Sequence, residues 1–117
     1  MELSTTAEGD TLLVVIKGEF DAKTVPQARP TLDSVTDSQP RKVVVDLSDL
    51  RLIDSTGVGG IVALFKRVKA TGGQFKVLGV RGQPRSIFQL LCLDRVFGLD
   101  DEPPASKRGD DGPLDSP

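Results

Sequence analysis

Between Asp46 and Gly60 the chain reads Asp-Leu-Ser-Asp-Leu-Arg-Leu-Ile-Asp-Ser-Thr-Gly-Val-Gly-Gly, and this stretch holds the residues whose types and spacing could do chemistry. Asp54, Ser55, Thr56 and Gly57 open a helical pattern. Serine at such a start reads as an ordinary N-cap, its oxygen accepting a backbone N–H. A cap does not account for Gly57, Gly59 and Gly60 in the first turns, each costing roughly 1 kcal/mol relative to Ala. Three together point to a body that approaches the backbone closely, either a neighbouring strand or a partner protein. Glycines at a helix start can also cradle a bound phosphate. Here no Lys-Ser or Lys-Thr follows them, and the spacing G-x-G-x-x-G breaks at Val62. A covalent phosphate on Ser55 fits the local physics better. It would add about −1.5 to −2 charges beside Asp54. The positive end of a helix tolerates that charge, whereas a partner surface lying against the same helix does not unless it supplies new cations. Such a modification separates a complex without unfolding either member.

The rest of the composition excludes the common alternatives. The chain has no His and one Cys, Cys92, so no Ser-His-Asp triad, intramolecular disulfide or His-based metal site can form. Cys92 lies in the apolar run from Ile87 to Leu93 and reads as a buried thiol acting as a small hydrophobe. General-base chemistry would rest on scattered carboxylates alone, so the chain reads as a non-enzyme with no cofactor. Net charge is −2, of which residues 101–117 carry −3, leaving about +1 for residues 1–100. There is no basic stripe for nucleic acid, and the five Phe, with no Trp or Tyr, are too few for a base-stacking surface. The amino end lacks a basic segment followed by an apolar one, and no apolar stretch approaches the ~20 residues that span a bilayer. A cytoplasmic protein whose partners are proteins or a small ligand is the expectation.

The elements that must position Ser55 follow from periodicity. The 117 residues favour one domain. Glu2 to Glu8 and the β-branched run Thr11 to Glu19 flank Gly9-Asp10 and predict an opening hairpin. Thr24 to Ser38 carries Val25, Ala28, Leu32 and Val35 on one helical stripe, with Thr24 as cap and Pro26 in the first turn. Pro30 predicts a kink or a late start. Lys42 to Leu47 reads as a central strand, Val44 and Val45 both buried, running into a loop through Leu50, Leu52 and Ile53. Ser55 to Ala70 is the best helix, with Val58, Ile61, Leu64, Phe65 and Val68 inward and Thr71-Gly72-Gly73 as its stop. A strand over 74–80, a helix over 83–93 with Ile87, Leu90 and Leu91 inward, and a short strand over 96–99 complete the pattern. The order β-β-α-β-α-β-α-β predicts a single α/β domain over residues 1–100, a mostly parallel mixed sheet packed with helices.

Three segments together resemble the STAS family, and specifically its anti-sigma-factor antagonists: Gly18-Glu19-Phe20-Asp21, Val43 to Ser48, and Ile53-Asp54-Ser55-Thr56-Gly57-Val58-Gly59. The order and spacing are similar over residues 10–99, and Lys76-Val77-Leu78-Gly79 resembles the family's fourth strand. The resemblance implies a partner switch. An antagonist of this kind binds an anti-sigma factor that is also a serine kinase, is phosphorylated by it with ATP, lets go, and is reset by a serine phosphatase. The modified hydroxyl falls on Ser55, with Thr56 the weaker candidate. The partner-facing positions fall on Asp21, Asp54, Ser55, Thr56, Gly57, Val58 and Gly59. The resemblance also leaves room for weak nucleotide binding, and for an alternative in which the chain is a non-catalytic STAS scaffold in a stress-signalling, secretion-control or lipid-transport complex. Many members end in a further helix after the last strand, where this chain has a Pro-rich tail.

After Asp100 the composition turns to Pro, Gly, Ser and Asp with one apolar residue, Leu114. Such a segment cannot bury enough surface to offset its ordering entropy, so residues 101–117 read as a disordered acidic tail. Truncation after Asp100 is expected to leave the melting temperature nearly unchanged, as calorimetry of the two chains would show; a large drop would mean that the tail docks.

Overall fold

The computed structural model of the protein describes residues 1–97. Nine elements run in the order β1 (Glu2–Glu8), β2 (Thr11–Phe20), α1 (Val25–Asp37), β3 (Lys42–Asp46), β4 (Leu50–Ile53), α2 (Ser55–Ala70), β5 (Gln74–Leu78), α3 (Gly82–Leu90) and α4 (Asp94–Phe97). The proposed tail and the end of the 1–100 domain lie outside the described residues.

The hairpin forms as expected, β1 pairing antiparallel with β2 from Glu2↔Lys17 to Glu8↔Thr11. All other pairings are parallel, and the sheet order is β1-β2-β3-β5. β3 leaves β2 at Val15↔Asp46, and β4 takes up the ladder at Gly18↔Leu50, with a register shift before Glu19↔Leu52. The predicted loop through Leu50, Leu52 and Ile53 is therefore a strand. Its four residues are buried at the two ends only, a pattern too short for alternation to reveal.

Strand order dictates which side the helices take. The chain crosses from β2 through α1 to β3, and from β4 through α2 to β5, each time in the same direction. Right-handed crossovers that never reverse lay their helices on one face. α1 and α2 accordingly pack on each other, and Arg67 of α2 donates to Asp33 of α1 at 2.6 Å. α3 and α4 join the same face through an aromatic cluster, in which Phe97 meets Phe65, Phe75 and Phe88 with ring centroids 5.5–5.6 Å apart.

The core follows. Val14, Ile16, Val43, Val45 and Val77 point into it and are buried, as are Val25, Ala28, Leu32 and Val35 of α1 and Val58, Ile61, Leu64 and Val68 of α2. Two predicted core positions move. Val44 is half-buried, because it points to the sheet face that carries no helix among the described residues. Phe65 is half-buried at the edge of the aromatic cluster.

Other expectations change at helix ends. α1 starts at Val25 and runs through Pro30, so the late start is not found; Pro30 is exposed, and the carbonyl it leaves unbonded belongs to Pro26, itself exposed. α2 ends as predicted, Gly72 taking a φ of +81°. α3 stops at Leu90 rather than Leu93. The N–H of Leu93 donates to the Phe88 carbonyl and that of Cys92 to the Gln89 carbonyl, the bonding of a left-handed helix stop. Cys92 holds the left-handed position at φ +60° and is exposed, not buried. The same turn leaves Leu90 and Leu91 exposed, while Phe88 and Pro84 supply the buried side of α3. Val96 and Phe97 belong to a helical turn rather than a strand, with Gly98 and Leu99 outside the described residues.

The outer edge of β4 is closed by a side chain. The Gln83 amide of α3 accepts from the Ile53 N–H and donates to the Ile53 carbonyl, both at 2.9 Å. One side chain thus replaces a missing strand at the residue next to Asp54. Gln83→Ala leaves both backbone groups unpaired, and a loss of about 1–3 kcal/mol is expected in denaturant unfolding. A change within error would show that water satisfies Ile53 equally well.

Candidate functional site

Asp54 ends β4 and begins α2. Its backbone is extended, with φ −115° and ψ −175°, and its Oδ1 accepts the Gly57 N–H at 2.9 Å. Asp54, not Ser55, is therefore the N-cap. Its other oxygen, Oδ2, accepts the Ala22 N–H at 3.1 Å from the turn between β2 and α1. The N–H of Asp54 donates to the Phe20 carbonyl at 3.4 Å. The carboxyl is held below its ordinary value, first by the Gly57 N–H, opposed by partial desolvation, and further by the Ala22 N–H.

The turn over residues 21–24 has its own lock. Asp21 Oδ1 accepts from the backbone N–H of Lys23 at 3.0 Å and of Thr24 at 3.1 Å. Thr24 Oγ1 accepts from the Asp21 N–H at 2.9 Å and donates to the Glu19 carbonyl at 3.0 Å. Thr24 precedes α1 but its hydroxyl caps the end of β2 instead of the helix. Asp21 is half-buried and spends its carboxylate inside this turn, so it acts on the site by presenting Ala22 to Asp54.

With the cap filled by Asp54, Ser55 occupies the first helical position. Ser55 and Thr56 are exposed, and among the described residues neither hydroxyl has a hydrogen-bond partner. The glycines divide by role. A Cβ on Gly57 would overlap the Phe20 carbonyl oxygen and lie 2.7 Å from Ile53 Cγ1. A Cβ on Gly60 would lie 3.2 Å from the Phe20 ring. These two let α2 press against the end of β2, which is the neighbouring-strand reading. Gly59 is exposed, and a Cβ there would meet nothing within 4 Å. Val58 is turned into the core. Of the seven predicted partner-facing residues, Asp54, Ser55, Thr56 and Gly59 thus form the open surface, Asp21 sits behind it, and Gly57 and Val58 hold the helix in place.

A hollow of about 450 Å³ is lined by Ser48, Asp49, Leu50, Arg51, Arg81 and Gly82, and another of about 420 Å³ lies at the opposite end of the strands around Arg41 and Gly73; neither includes Ser55. The arrangement offers an accessible hydroxyl beside a fixed carboxylate at a helix start. Sequence reasoning missed Gln83 and Ala22, because one acts through an amide that any exposed Gln could carry and the other through its backbone.

A carboxyl whose folded titration lies below its unfolded one stabilises the fold above its ordinary range, and that contribution is lost as pH falls through the depressed value. Asp54→Ala is therefore expected to be less stable than the parent at neutral pH, the gap closing in strong acid. Parallel urea titrations across pH would check this; a gap independent of pH would remove Asp54 ionisation from the cap.

The sequence matches the STAS domain over residues 2–105. It is 27% identical over 101 residues to the anti-sigma-B factor antagonist of Staphylococcus aureus (strain NCTC 8325 / PS 47), covering 86% of this chain and 94% of that protein. The fold superimposes on an anti-sigma factor antagonist from Mycobacterium paratuberculosis with a TM-score of 0.74 at 24% identity, over 82% of this chain and 81% of that one. It also superimposes on the phosphorylated form of the Bacillus cell fate determinant SpoIIAA, with a TM-score of 0.67 at 19% identity over 93% of this chain and 90% of that one. By sequence over nearly its whole described length, and by fold, the chain belongs to the STAS domain family.

Proposed function

We propose that this chain is an anti-sigma-factor antagonist that binds an anti-sigma factor with serine-kinase activity and is released when Ser55 is phosphorylated. The observation that carries the reading is the Ser55 hydroxyl, exposed and uncommitted at the first position of α2 while Asp54 takes the cap. The antagonists of the sigma-B system that the chain resembles along most of their length support the partner class. The phosphorylated SpoIIAA structure supports a fold able to carry a phosphate, as that protein does.

In this reading the chain is the substrate, and the kinase supplies the catalytic groups. Ser55 Oγ attacks the γ-phosphorus of ATP held by the kinase. The bond to the β-phosphate oxygen breaks, ADP leaves, and the hydroxyl proton passes to a base of the kinase. The new phosphate meets the unpaired N–H groups of the first turn of α2, so the fold keeps its charge balance there. The docked surface gains about two negative charges beside Asp54, and the complex parts. A serine phosphatase returns the hydroxyl by adding water across the phosphoester and releasing inorganic phosphate. The exchange takes place in the cytoplasm, where ATP and sigma factor meet; among the described residues no helix is long and apolar enough to cross a membrane. Any nucleotide contact made by the domain itself is weak and secondary.

Mass spectrometry after incubation with a cognate serine kinase and ATP, with binding followed in parallel, tests the switch. Ser55→Ala is expected to bind and not be released by ATP. Ser55→Asp should bind weakly, and Thr56→Ala should still be phosphorylated. Phosphate on Thr56 would move the site and keep the mechanism. No phosphate at either residue, with binding indifferent to both changes, would leave a scaffold in a stress-signalling, secretion-control or lipid-transport complex as the better description.

A further inference from the structure

The sheet has a second face, and the phosphoswitch does not use it. Because both crossovers run in one direction, α1 and α2 lie on the same side. The register then places Leu13 beside Val44, and Val15 two residues along beside Asp46 and Leu78, on the opposite side. Leu13, Val15, Val44 and Leu78 are half-buried by their neighbours, and none belongs to the core or packs against it. Parallel strands are ordinarily covered on both faces, so this apolar centre lacks its usual cover among the described residues.

Charges ring that centre, and Asp46 lies within it, its Oδ1 accepting from the Ser48 N–H at 2.9 Å and the Ser48 hydroxyl at 2.6 Å. β1 contributes Glu2 and Glu8 to this face, β2 contributes Lys17, β3 contributes Lys42 and Asp46, and β5 contributes Lys76. The face is neutral in sum but divided, acidic along β1 and basic toward β3 and β5. Among the described residues none of these six groups is in an ion pair, whereas Asp10, Glu19, Asp33 and Asp37 all are.

We propose that this face is the interface of a homodimer. A two-fold axis parallel to the strands, lying between two stacked sheets, sets β1 of one copy over β5 of the other. That operation brings Leu13 over Val44 of the second copy, and the reverse, at the centre. At the rim it places Glu8 beside Lys42 of the second copy and one same-face position, two ladder pairs, from Lys76 of the second copy. Acid thus meets base on both sides, as a self-complementary interface requires. The occupant is a second copy rather than a protein of one charge sign, because a uniformly acidic or basic partner would be repelled by half of the rim. This dimer is independent of the antagonist reading and leaves the Ser55 surface free.

Sedimentation of the full chain over a range of concentrations tests it. A concentration-dependent dimer is expected. Lys76→Glu should weaken it about tenfold, because a two-fold interface repeats every altered contact. Adding Glu8→Lys should restore it, a rescue that a merely structural effect would not produce. Val44→Asp should give a monomer with unchanged circular dichroism; should that variant fail to fold, the exposed charge pair still decides. A monomer at millimolar concentration would overturn the proposal. So would a dimer insensitive to Lys76→Glu, or a monomer whose Leu13 and Val44 methyl groups show nuclear Overhauser contacts to residues 98–117.

Discussion

Asp54 holds together two parts of the chain that are 32 residues apart. One carboxylate oxygen caps the start of α2 and the other binds the turn that leads from β2 into α1. The site depends on this pair of hydrogen bonds in two ways. It fixes the entry of α2 over the end of β2, where Gly57 gives the Phe20 carbonyl the room that any side chain would take. It also fills the cap position, which releases the hydroxyl of Ser55 from structural duty. A serine that capped its own helix would lose that bond on modification; a serine one residue further on adds charge to the same N–H groups without surrendering anything.

The supports of Asp54 are themselves supported. Ile53 is clasped by the Gln83 amide, and Ala22 is presented by the hydrogen-bonded turn of Asp21 and Thr24. The three glycines that signalled a close approach in the sequence divide accordingly. Two are explained by packing within the chain, and only Gly59 faces outward with open space before it. Packed residues stand behind, and a small hydroxyl-bearing patch of Ser55, Thr56 and Gly59 stands in front.

Where residue pattern and local physics coincide, the fold is legible from sequence. β2 and β3 are β-branched runs, α1 and α2 carry unbroken stripes, and the hairpin turn is marked by Gly9-Asp10. The misses share a cause, which is that a neighbour decides. Val44 sits in an apolar run that reads as buried on both sides, but strand order leaves one side without a helix among the described residues. β4 is strand because the end of β2 offers it a ladder. Leu90, Leu91 and Cys92 continue an apolar run, and no glycine warns that the helix stops among them. At the site, the exposed hydroxyls of Ser55 and Thr56 were readable, whereas the inward turn of Val58 and the commitment of Asp21 to its own turn were set by tertiary packing.

The distribution of residue types along α2 has a dynamic consequence. Its first turns hold Gly57, Gly59 and Gly60, while the stretch from Ala63 to Ala70 is built of stronger helix formers and is tied to α1 through Arg67. Local stability therefore climbs from the amino end to the carboxyl end, and fluctuations that open the helix start at Ser55. The Asp54 bonds set the frequency of that fraying. A helix that loosens at its first exposed residues, with Gly57 and Val58 packed and its far half anchored, gives up that end without any loss of the domain behind it.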